Sequence, residues 1–397
     1  MEHWGQLAKF GTQNKGGTTR LAYTNADKEA RAYLSQIMKE AGLQVHVDAA
    51  GNLVGRMSGM NDDLAPVVTG SHIDTVPEGG RFDGVVGVLS AIEVVQSLNA
   101  NHIRTRHPIE VIVFEDEERG HIGSRAISSG LSPDDLKLVV LSGKTVADGI
   151  SFLGGDVSKI AQARRNPKSI AAYVELHIEQ GGVLEKDKKD IGIVQGFVGV
   201  HRWNVTFIGL SNHAGTTPMN LRQDALLAAA EFITEVHRIT VSTPGHQVAT
   251  VGKLEIGPDA PNVIPGVAHL TLEARDLDAK KIEDMGKKFE AAANKTGKDT
   301  HTTASISRTY NTLPVLADPK IMSIIADSAK ERHYTQMQLP SGAAHDAQEM
   351  AAIGPVGMIF IPSKGGISHS PDEYSSDIEI ERGANVLLRT LMKLDKK

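Results

Sequence analysis

The chain has 397 residues and is mildly acidic, since 42 Lys and Arg residues oppose 48 Asp and Glu residues to give a formal net charge of −6. Its length predicts about two domains, and its composition, 40% hydrophobic and 23% charged, excludes general disorder. The sequence has no basic cluster for nucleic acid, no apolar run long enough to span a membrane, and no cysteine to act as nucleophile or metal ligand.

The first 200 residues alternate between helices and buried strands. Apolar residues recur at helical spacing over residues 27–41 and stop at Gly42, a typical helix end. Further along, the pattern predicts strands at residues 66–71, 108–114 and 171–176, and a helix at residues 85–98. This alternation indicates an α/β fold with a mainly parallel sheet, in which functional residues follow the C-terminal ends of strands.

The middle of the chain has a different pattern. Trp203, Val205 and Phe207 alternate with polar residues, as in a half-buried strand. The segments that follow predict a helix at 221–239, strands at 247–256 and 270–275, a helix at 278–293 and a strand at 300–307. This β-α-β-β-α-β order favours a small domain at 201–311, inserted into a discontinuous domain of residues 1–200 and 312–397. A single long irregular domain is the alternative.

Histidines and acids stand at the predicted strand ends. His72 and Asp74 follow one strand, and a glycine-rich turn returns Asp83 to the same place, so that a nitrogen and an oxygen ligand meet there. His177 ends another strand, and His369 lies in a polar stretch near the C-terminus. One such histidine is more often structural, but this set together indicates a metal site. Without cysteine, it suits zinc, manganese or cobalt.

Residues 115–118 are four successive acids that directly follow a predicted buried strand. Such a run is usually a solvated loop. At the end of a parallel strand, however, one carboxylate can bind a metal while its neighbour acts as general base, because a cation lowers the pKa of nearby water. In the middle domain, His213 lies in a turn-rich loop, and Asn262 and Arg275 are suited to holding a carboxylate, although each is individually more typical of a surface.

The sequence resembles the aminoacylase and glutamate-carboxypeptidase type of dinuclear metallohydrolase. Within that type it is most similar to the branch of N-carbamoyl-L-amino acid hydrolases, β-ureidopropionases and allantoate amidohydrolases. The resemblance lies in six stretches that run in family order, at residues 70–76, 79–84, 175–181, 212–219, 340–346 and 366–371. The stretches His-Ile-Glu-Gln-Gly from His177 and His-Ala-Gly-Thr-Thr-Pro-Met from His213 are specific to this branch.

The resemblance implies a metallopeptidase-like catalytic domain with two divalent metal ions per subunit, zinc or else manganese, cobalt or nickel. One ion would be held by His72, Asp83 and His177. Asp83, as the bridge, would share the second ion with Glu118 and His369.

The other site residues also take their roles from the resemblance. Glu117 would be the general base, and Asp74 would orient His72. The inserted domain would be a lid and dimerisation domain that brings His213 to the metals of the partner subunit to stabilise the oxyanion. The substrate would be held by Gln180, Asn262, Arg275 and His345, with Asn262 and Arg275 on its carboxylate.

We therefore expect a cytoplasmic homodimer that cleaves the ureido C–N bond of N-carbamoyl-L-amino acids to the L-amino acid, carbon dioxide and ammonia. The substrate is a small ureido compound with a carboxylate, and neither nucleic acid nor membrane is an expected partner. Allantoate amidohydrolase is the main alternative, followed by β-ureidopropionase and by a dipeptidase or deacylase, which the Gln180 motif disfavours. A non-catalytic binding protein is disfavoured because Glu117 and the ligands are all present.

The chain departs from the family pattern directly after Glu118. The family has a Gly and then an Arg-Phe stretch before its Gly-Ser-Arg segment, whereas here Arg119, Gly120, His121 and Ile122 lead straight into that segment. We expect the metal ligands to be kept and the contacts of this shortened loop to differ.

Overall fold

The computed structural model describes residues 2–13 and 16–396. Gly196–Leu316 forms one compact unit, and the segments before and after it together form a second. The insertion predicted at 201–311 falls within the Gly196–Leu316 unit. The outer limits predicted for the larger domain, residues 1 and 397, lie outside the described residues. Among the described helices, none combines the length and apolar character needed to cross a membrane.

The strands and helices are numbered in chain order. The strands are β1 (Gln44–Val47), β2 (Leu53–Met57), β3 (Val67–His72), β4 (Ile109–Phe114), β5 (Ala172–Ile178), β6 (Ile191–Phe197), β7 (Gly199–Ile208), β8 (Val248–Gly257), β9 (Val267–Asp276), β10 (Thr303–Asn311), β11 (Val315–Leu316), β12 (Gln336–Ser341) and β13 (Val356–Ile361). The helices are α1 (Glu2–Leu7), α2 (Asn25–Glu40), α3 (Val85–Ala100), α4 (Glu117–Gly120), α5 (Ile122–Ser128), α6 (Pro133–Lys137), α7 (Val146–Phe152), α8 (Val183–Lys186), α9 (Ala225–Ser242), α10 (Ala279–Asp299), α11 (Pro319–Glu331), α12 (Asp346–Met350) and α13 (Asp377–Leu394).

A large mixed sheet has the strand order β1-β2-β4-β3-β5-β13-β6-β11, and β12 also pairs with β6. The central strands β4, β3, β5 and β13 run parallel, whereas β1, β2, β6 and β11 pair antiparallel with their neighbours. The central strands are buried along their whole length, as expected for parallel strands covered on both faces. The predicted α/β class is confirmed, with parallel pairing in the centre of the sheet.

The strand register brings the predicted site segments to one edge of this sheet. His72, the last residue of β3, pairs with Phe114, the last residue of β4, so the acidic run begins beside it. His177 near the end of β5 pairs with Phe360 near the end of β13. Because these strands are parallel, the loops that leave their C-terminal ends open on the same side.

The Gly196–Leu316 unit has the β-α-β-β-α-β order that the sequence predicts. Its strands form an antiparallel sheet of order β10-β7-β9-β8, and α9 and α10 pack against that sheet and each other. Trp203, Val205 and Phe207 of β7 are buried with Phe232 of α9 and Phe289 of α10, which explains the alternation in the β7 sequence.

Candidate metal centre and active site

Two buried histidines of neighbouring strands point at one carboxylate oxygen. Nε2 of His72 lies 3.5 Å, and Nε2 of His177 lies 3.1 Å, from Oδ1 of Asp83. The Nδ1 atoms face backbone carbonyl oxygens, that of Asp74 at 3.0 Å and that of Ile178 at 2.8 Å. When each Nδ1–H donates to its carbonyl, each Nε2 presents its lone pair to the cluster, and that of His177 also accepts the N–H of Gly84 at 3.1 Å.

Asp83 reaches these histidines because the turn before α3 ends in Gly84. Gly84 has a φ of 63°, and a Cβ atom there would lie 2.5 Å from the carbonyl oxygen of His72 and 2.6 Å from its Nε2. Only glycine allows the turn to approach the ring this closely.

The second oxygen of Asp83 faces a second set of ligands. Its Oδ2 lies 3.2 Å from Nε2 of His369, and the same nitrogen lies 3.5 Å from Oε2 of Glu118. Two groups of potential ligands, one with His72 and His177 and one with Glu118 and His369, therefore share Asp83. The His369 side chain is 47% exposed, so the second group is the more open of the two.

The electrostatics of the cluster indicate excess negative charge. Burial raises the pKa of Glu118, and the charges of Asp83 and Glu117 raise it further, to about 10. Burial lowers the pKa of His72, but the facing carboxylates, with Glu117 first, bring it well above its ordinary value. A carboxyl group that keeps its proton and an imidazole that gains one both signal a negative potential. The oxygen and nitrogen donors present therefore fit a divalent cation.

Asp74 connects His72 with the acidic run. Its Oδ1 lies 3.6 Å from Nδ1 of His72, and its two carboxylate oxygens accept the backbone N–H groups of Glu117 at 3.3 Å and Glu118 at 3.2 Å. Asp116, whose φ is 50°, turns the chain into α4 at this point. Oε2 of Glu117 is thereby placed 3.7 Å from Nε2 of His72, beside the first ligand group.

Gln180 and His345, predicted to hold the substrate, both contact groups of the cluster. Nε2 of Gln180 donates to Oδ2 of Asp83 at 2.7 Å. The His345 ring packs edge-on against His177, with 4.5 Å between ring centroids, and its Nδ1 lies 4.0 Å from Oε1 of Glu117. Both side chains therefore line the same cluster as the candidate metal ligands.

In the Gly196–Leu316 unit, His213 and Asn262 lie on adjacent loops. Nδ1 of His213 accepts the N–H groups of Gly215 at 2.9 Å and Thr216 at 3.2 Å, so the neutral ring carries its proton on Nε2. The N–H of Ala214 donates to the carbonyl oxygen of Asn262 at 3.0 Å, which holds the loops together. His213 is thereby prepared to donate a hydrogen bond through Nε2.

Arg275, the third predicted residue of this unit, lies on β9 in an ion pair. Its Nε donates to Oε1 of Glu273 at 2.7 Å, and Nε of Arg202 donates to Oε2 of the same carboxylate at 3.0 Å. Burial raises the pKa of Glu273, but the two guanidinium groups hold it below its usual value. The predicted site residues thus divide between the units: His213, Asn262 and Arg275 in this one, the others in the larger one.

The sequence analysis missed Glu373, which is buried between the loops that carry Asp83 and His369. Its Oε1 accepts the N–H groups of Phe82 at 2.9 Å and Asp83 at 3.1 Å. Its Oε2 accepts the hydroxyl of Ser368 at 2.8 Å and the N–H of His369 at 3.3 Å. The only indication of Glu373 in the sequence is its position four residues after His369, a predicted ligand.

Glu175 was also missed. It forms a third buried group of possible metal ligands with His177 and His345. Its Oε1 accepts the hydroxyl of Ser71 at 2.6 Å, and its Oε2 accepts the hydroxyl of Tyr173 and the N–H of Ala347, both at 3.1 Å, so both oxygens already have protein donors. We interpret Glu175 as a support beneath His177 rather than as a ligand.

Comparison with known proteins identifies the family. Residues 68–393 match the family described as peptidase family M20/M25/M40. The chain belongs to this family. The chain is therefore a hydrolase of a metal-dependent family, in agreement with the donor groups around Asp83.

Relatives within this family include an N-carbamoyl-L-amino acid amidohydrolase of Geobacillus stearothermophilus, which is 41% identical over 394 residues, 98% of this chain and 96% of that protein. An allantoate amidohydrolase of Bacillus subtilis (strain 168) is 34% identical over 98% of this chain and 95% of its own length. A crystal structure of an amidase of the hydantoinase/carbamoylase family from Burkholderia multivorans has a TM-score of 0.94 and 36% identity, and the match covers 100% of this chain and 97% of that one. The resemblance stated from the sequence is confirmed.

Proposed function

We propose that the chain is an N-carbamoyl-L-amino acid amidohydrolase, which cleaves the ureido C–N bond to yield the L-amino acid, carbon dioxide and ammonia. The observation that carries the proposal is the pair of ligand groups sharing Asp83, with Glu117 3.7 Å from His72 at their side. The full-length relative of that name, 41% identical, supports this choice within the family.

The proposed cofactor is a pair of divalent ions, zinc or else manganese, cobalt or nickel. His72, Asp83 and His177 would hold one ion, and Asp83, Glu118 and His369 the other. When bound, the ions polarise the carbamoyl carbonyl group and lower the pKa of a water molecule. Oxygen and imidazole donors without thiolate are compatible with each of these metals.

Glu117 is the proposed general base. It takes a proton from the attacking water as the new bond to the carbamoyl carbon forms, and it delivers that proton to the amino nitrogen as the C–N bond breaks. The carbamic acid released then decomposes to carbon dioxide and ammonia. Asp74 supports this role, because its carboxylate holds the N–H group of Glu117 and touches the ring of His72.

The remaining predicted residues act on the substrate. Nε2–H of His213 would donate to the developing oxyanion, and Arg275 with Asn262 would hold the substrate carboxylate. Gln180 and His345, which line the ligand cluster, would orient the ureido group. We further propose a cytoplasmic homodimer in which the inserted domain, as a lid, brings His213 to the centre of a second copy.

Allantoate hydrolysis is the second candidate, favoured by the 34% identical allantoate amidohydrolase. Its substrate is also a small ureido compound with a carboxylate, so the same ligands and base would serve. A dipeptidase or deacylase would require the same centre to accept a peptide or acyl amide. The substrate-holding residues, and not the metal ligands, must distinguish these possibilities.

The test is ammonia release by the purified, metal-loaded protein. Substrates are N-carbamoyl-L-amino acids with aliphatic and aromatic side chains, N-carbamoyl-β-alanine and allantoate, and a chelator-treated sample is the control. We expect chelator-sensitive release from an N-carbamoyl-L-amino acid. Release from allantoate alone establishes the second candidate, and no ammonia release from any of these substrates rejects both.

A further inference from the structure

His121 lies in the loop that departs from the family pattern, between α4 and α5. Its φ of 50° turns the chain so that the ring returns over the preceding helix. Nε2 of His121 lies 3.6 Å from Oε1 of Glu117, and Nδ1 lies 3.7 Å from Oε1 of Glu349 on α12. The imidazole therefore sits between the proposed base and a second carboxylate.

The two oxygens of Glu117 face different groups. Oε2 faces Nε2 of His72, while Oε1 faces His121 at 3.6 Å and Nδ1 of His345 at 4.0 Å. Attraction of Oε1 to the His121 imidazole favours the rotation of the carboxylate that leaves Oε2 turned toward His72. His345, the N-cap of α12, and Glu349 are one helical turn apart, so the same helix carries the residue that faces Glu117 and the residue that faces His121.

The charge balance supports an ion pair at this position. Burial lowers the pKa of His121, but Glu117 and Glu349 raise it more, so the net pKa is well above the ordinary value. The His121 side chain is 19% exposed and that of Glu349 is 25% exposed, whereas that of Glu117 is 8% exposed. Glu349 thus anchors the ring from the more open side.

We propose that His121, anchored by Glu349, is a positioning residue that holds the Glu117 carboxylate with Oε2 facing the metal centre. The inference deepens the proposed function, because it rests on Glu117 being the base. The shortened loop thereby contributes to the site, since the left-handed backbone of His121 carries the ring back over α4 to the carboxylate.

The test compares His121→Asn with the wild-type protein. Asparagine tolerates the left-handed backbone, so this variant removes the imidazole without adding strain. We expect kcat to fall about 10- to 100-fold, with KM and the affinity for Co²⁺ within about twofold of wild type. The control is His46→Ala, which removes an exposed imidazole from β1 and should leave all three values unchanged.

A double-mutant cycle with Glu349→Gln tests the anchor. We expect Glu349→Gln alone to lower kcat less than His121→Asn does, and to lower kcat by less than a further factor of about two when His121 is already replaced.

Wild-type kcat in His121→Asn overturns the inference, and so does a rise in KM alone, which would indicate a substrate contact. If the wild-type protein cleaves only peptides or acyl amides, the proposed function fails, and the same kcat comparison on that substrate decides the role of His121.

Discussion

The carboxylate of Glu373 offers the sharpest test of how the metal centre is built. It accepts four hydrogen bonds of 2.8–3.3 Å from Phe82, Asp83, Ser368 and His369. All four partners donate, so the ionised carboxylate satisfies them, although burial and the charge of Asp83 raise its pKa. Glu373→Gln keeps the shape but leaves an amide NH₂ facing one of the two pairs of donors.

The expected cost follows from that geometry. Two donors lose their acceptor, at roughly 1–3 kcal/mol each, so the free energy of unfolding should fall by about 2–6 kcal/mol. Because the affected loops carry Asp83 and His369, the affinity for a divalent ion should also fall about 10- to 100-fold, or about 1.4–2.7 kcal/mol.

The assay is a titration of the chelator-stripped protein with Co²⁺ or Zn²⁺ against a chromogenic chelator, together with urea unfolding of the metal-free form. Asp372→Asn is the matched control, because it removes the same charge from an exposed neighbouring residue. Wild-type affinity in Glu373→Gln, or an equal loss in Asp372→Asn, would refute the reasoning.

Three further substitutions probe the proposed roles. Glu117→Gln should bind metal normally and lose about 10²- to 10⁴-fold in kcat, and retained turnover would exclude it as the base. Gly84→Ala should weaken Co²⁺ binding by at least about 10-fold, because the added Cβ displaces His72, and unchanged cobalt absorption would contradict this. Arg275→Ala should raise KM for carboxylate substrates about 10-fold or more. Arg202→Ala is the control, because it breaks an ion pair with the same Glu273 and should leave KM unchanged. Equal increases in KM would indicate that the ion pairs of Glu273, and not a contact of Arg275 with the substrate, cause the effect.

The sequence predicts those parts of the fold in which local pattern and burial agree. The helix expected at 85–98 is α3 (Val85–Ala100), and the strand expected at 108–114 is β4 (Ile109–Phe114). The edge strand β1 was not predicted, because it is largely exposed and has no regular alternation of apolar residues. The helix expected at 278–293 extends to Asp299, because its buried face continues with Thr296 and Gly297, which are not part of an apolar pattern.

The same contrast applies to the site. His72 and His177 were predictable because parallel strands deliver their C-terminal ends to one edge of a sheet. Glu373 was not, because its partner Phe82 lies 291 positions away, and no local pattern records that contact. His121 lay in a loop recognised as unusual, but the direction of its ring depends on a left-handed backbone that sequence alone did not indicate.

Asp74 links the candidate metal ligands and the proposed base in one hydrogen-bonded unit. The sequence suggests only that it orients His72, and the structure adds that its two oxygens accept the N–H groups of Glu117 and Glu118. One carboxylate therefore contacts a ligand of the first group, the proposed base and a ligand of the second group. A change at any of these residues must disturb the others through Asp74, so their energetic effects should not add independently. Asp74 thus holds the proposed general base beside both groups of candidate ligands through hydrogen bonds to the backbone.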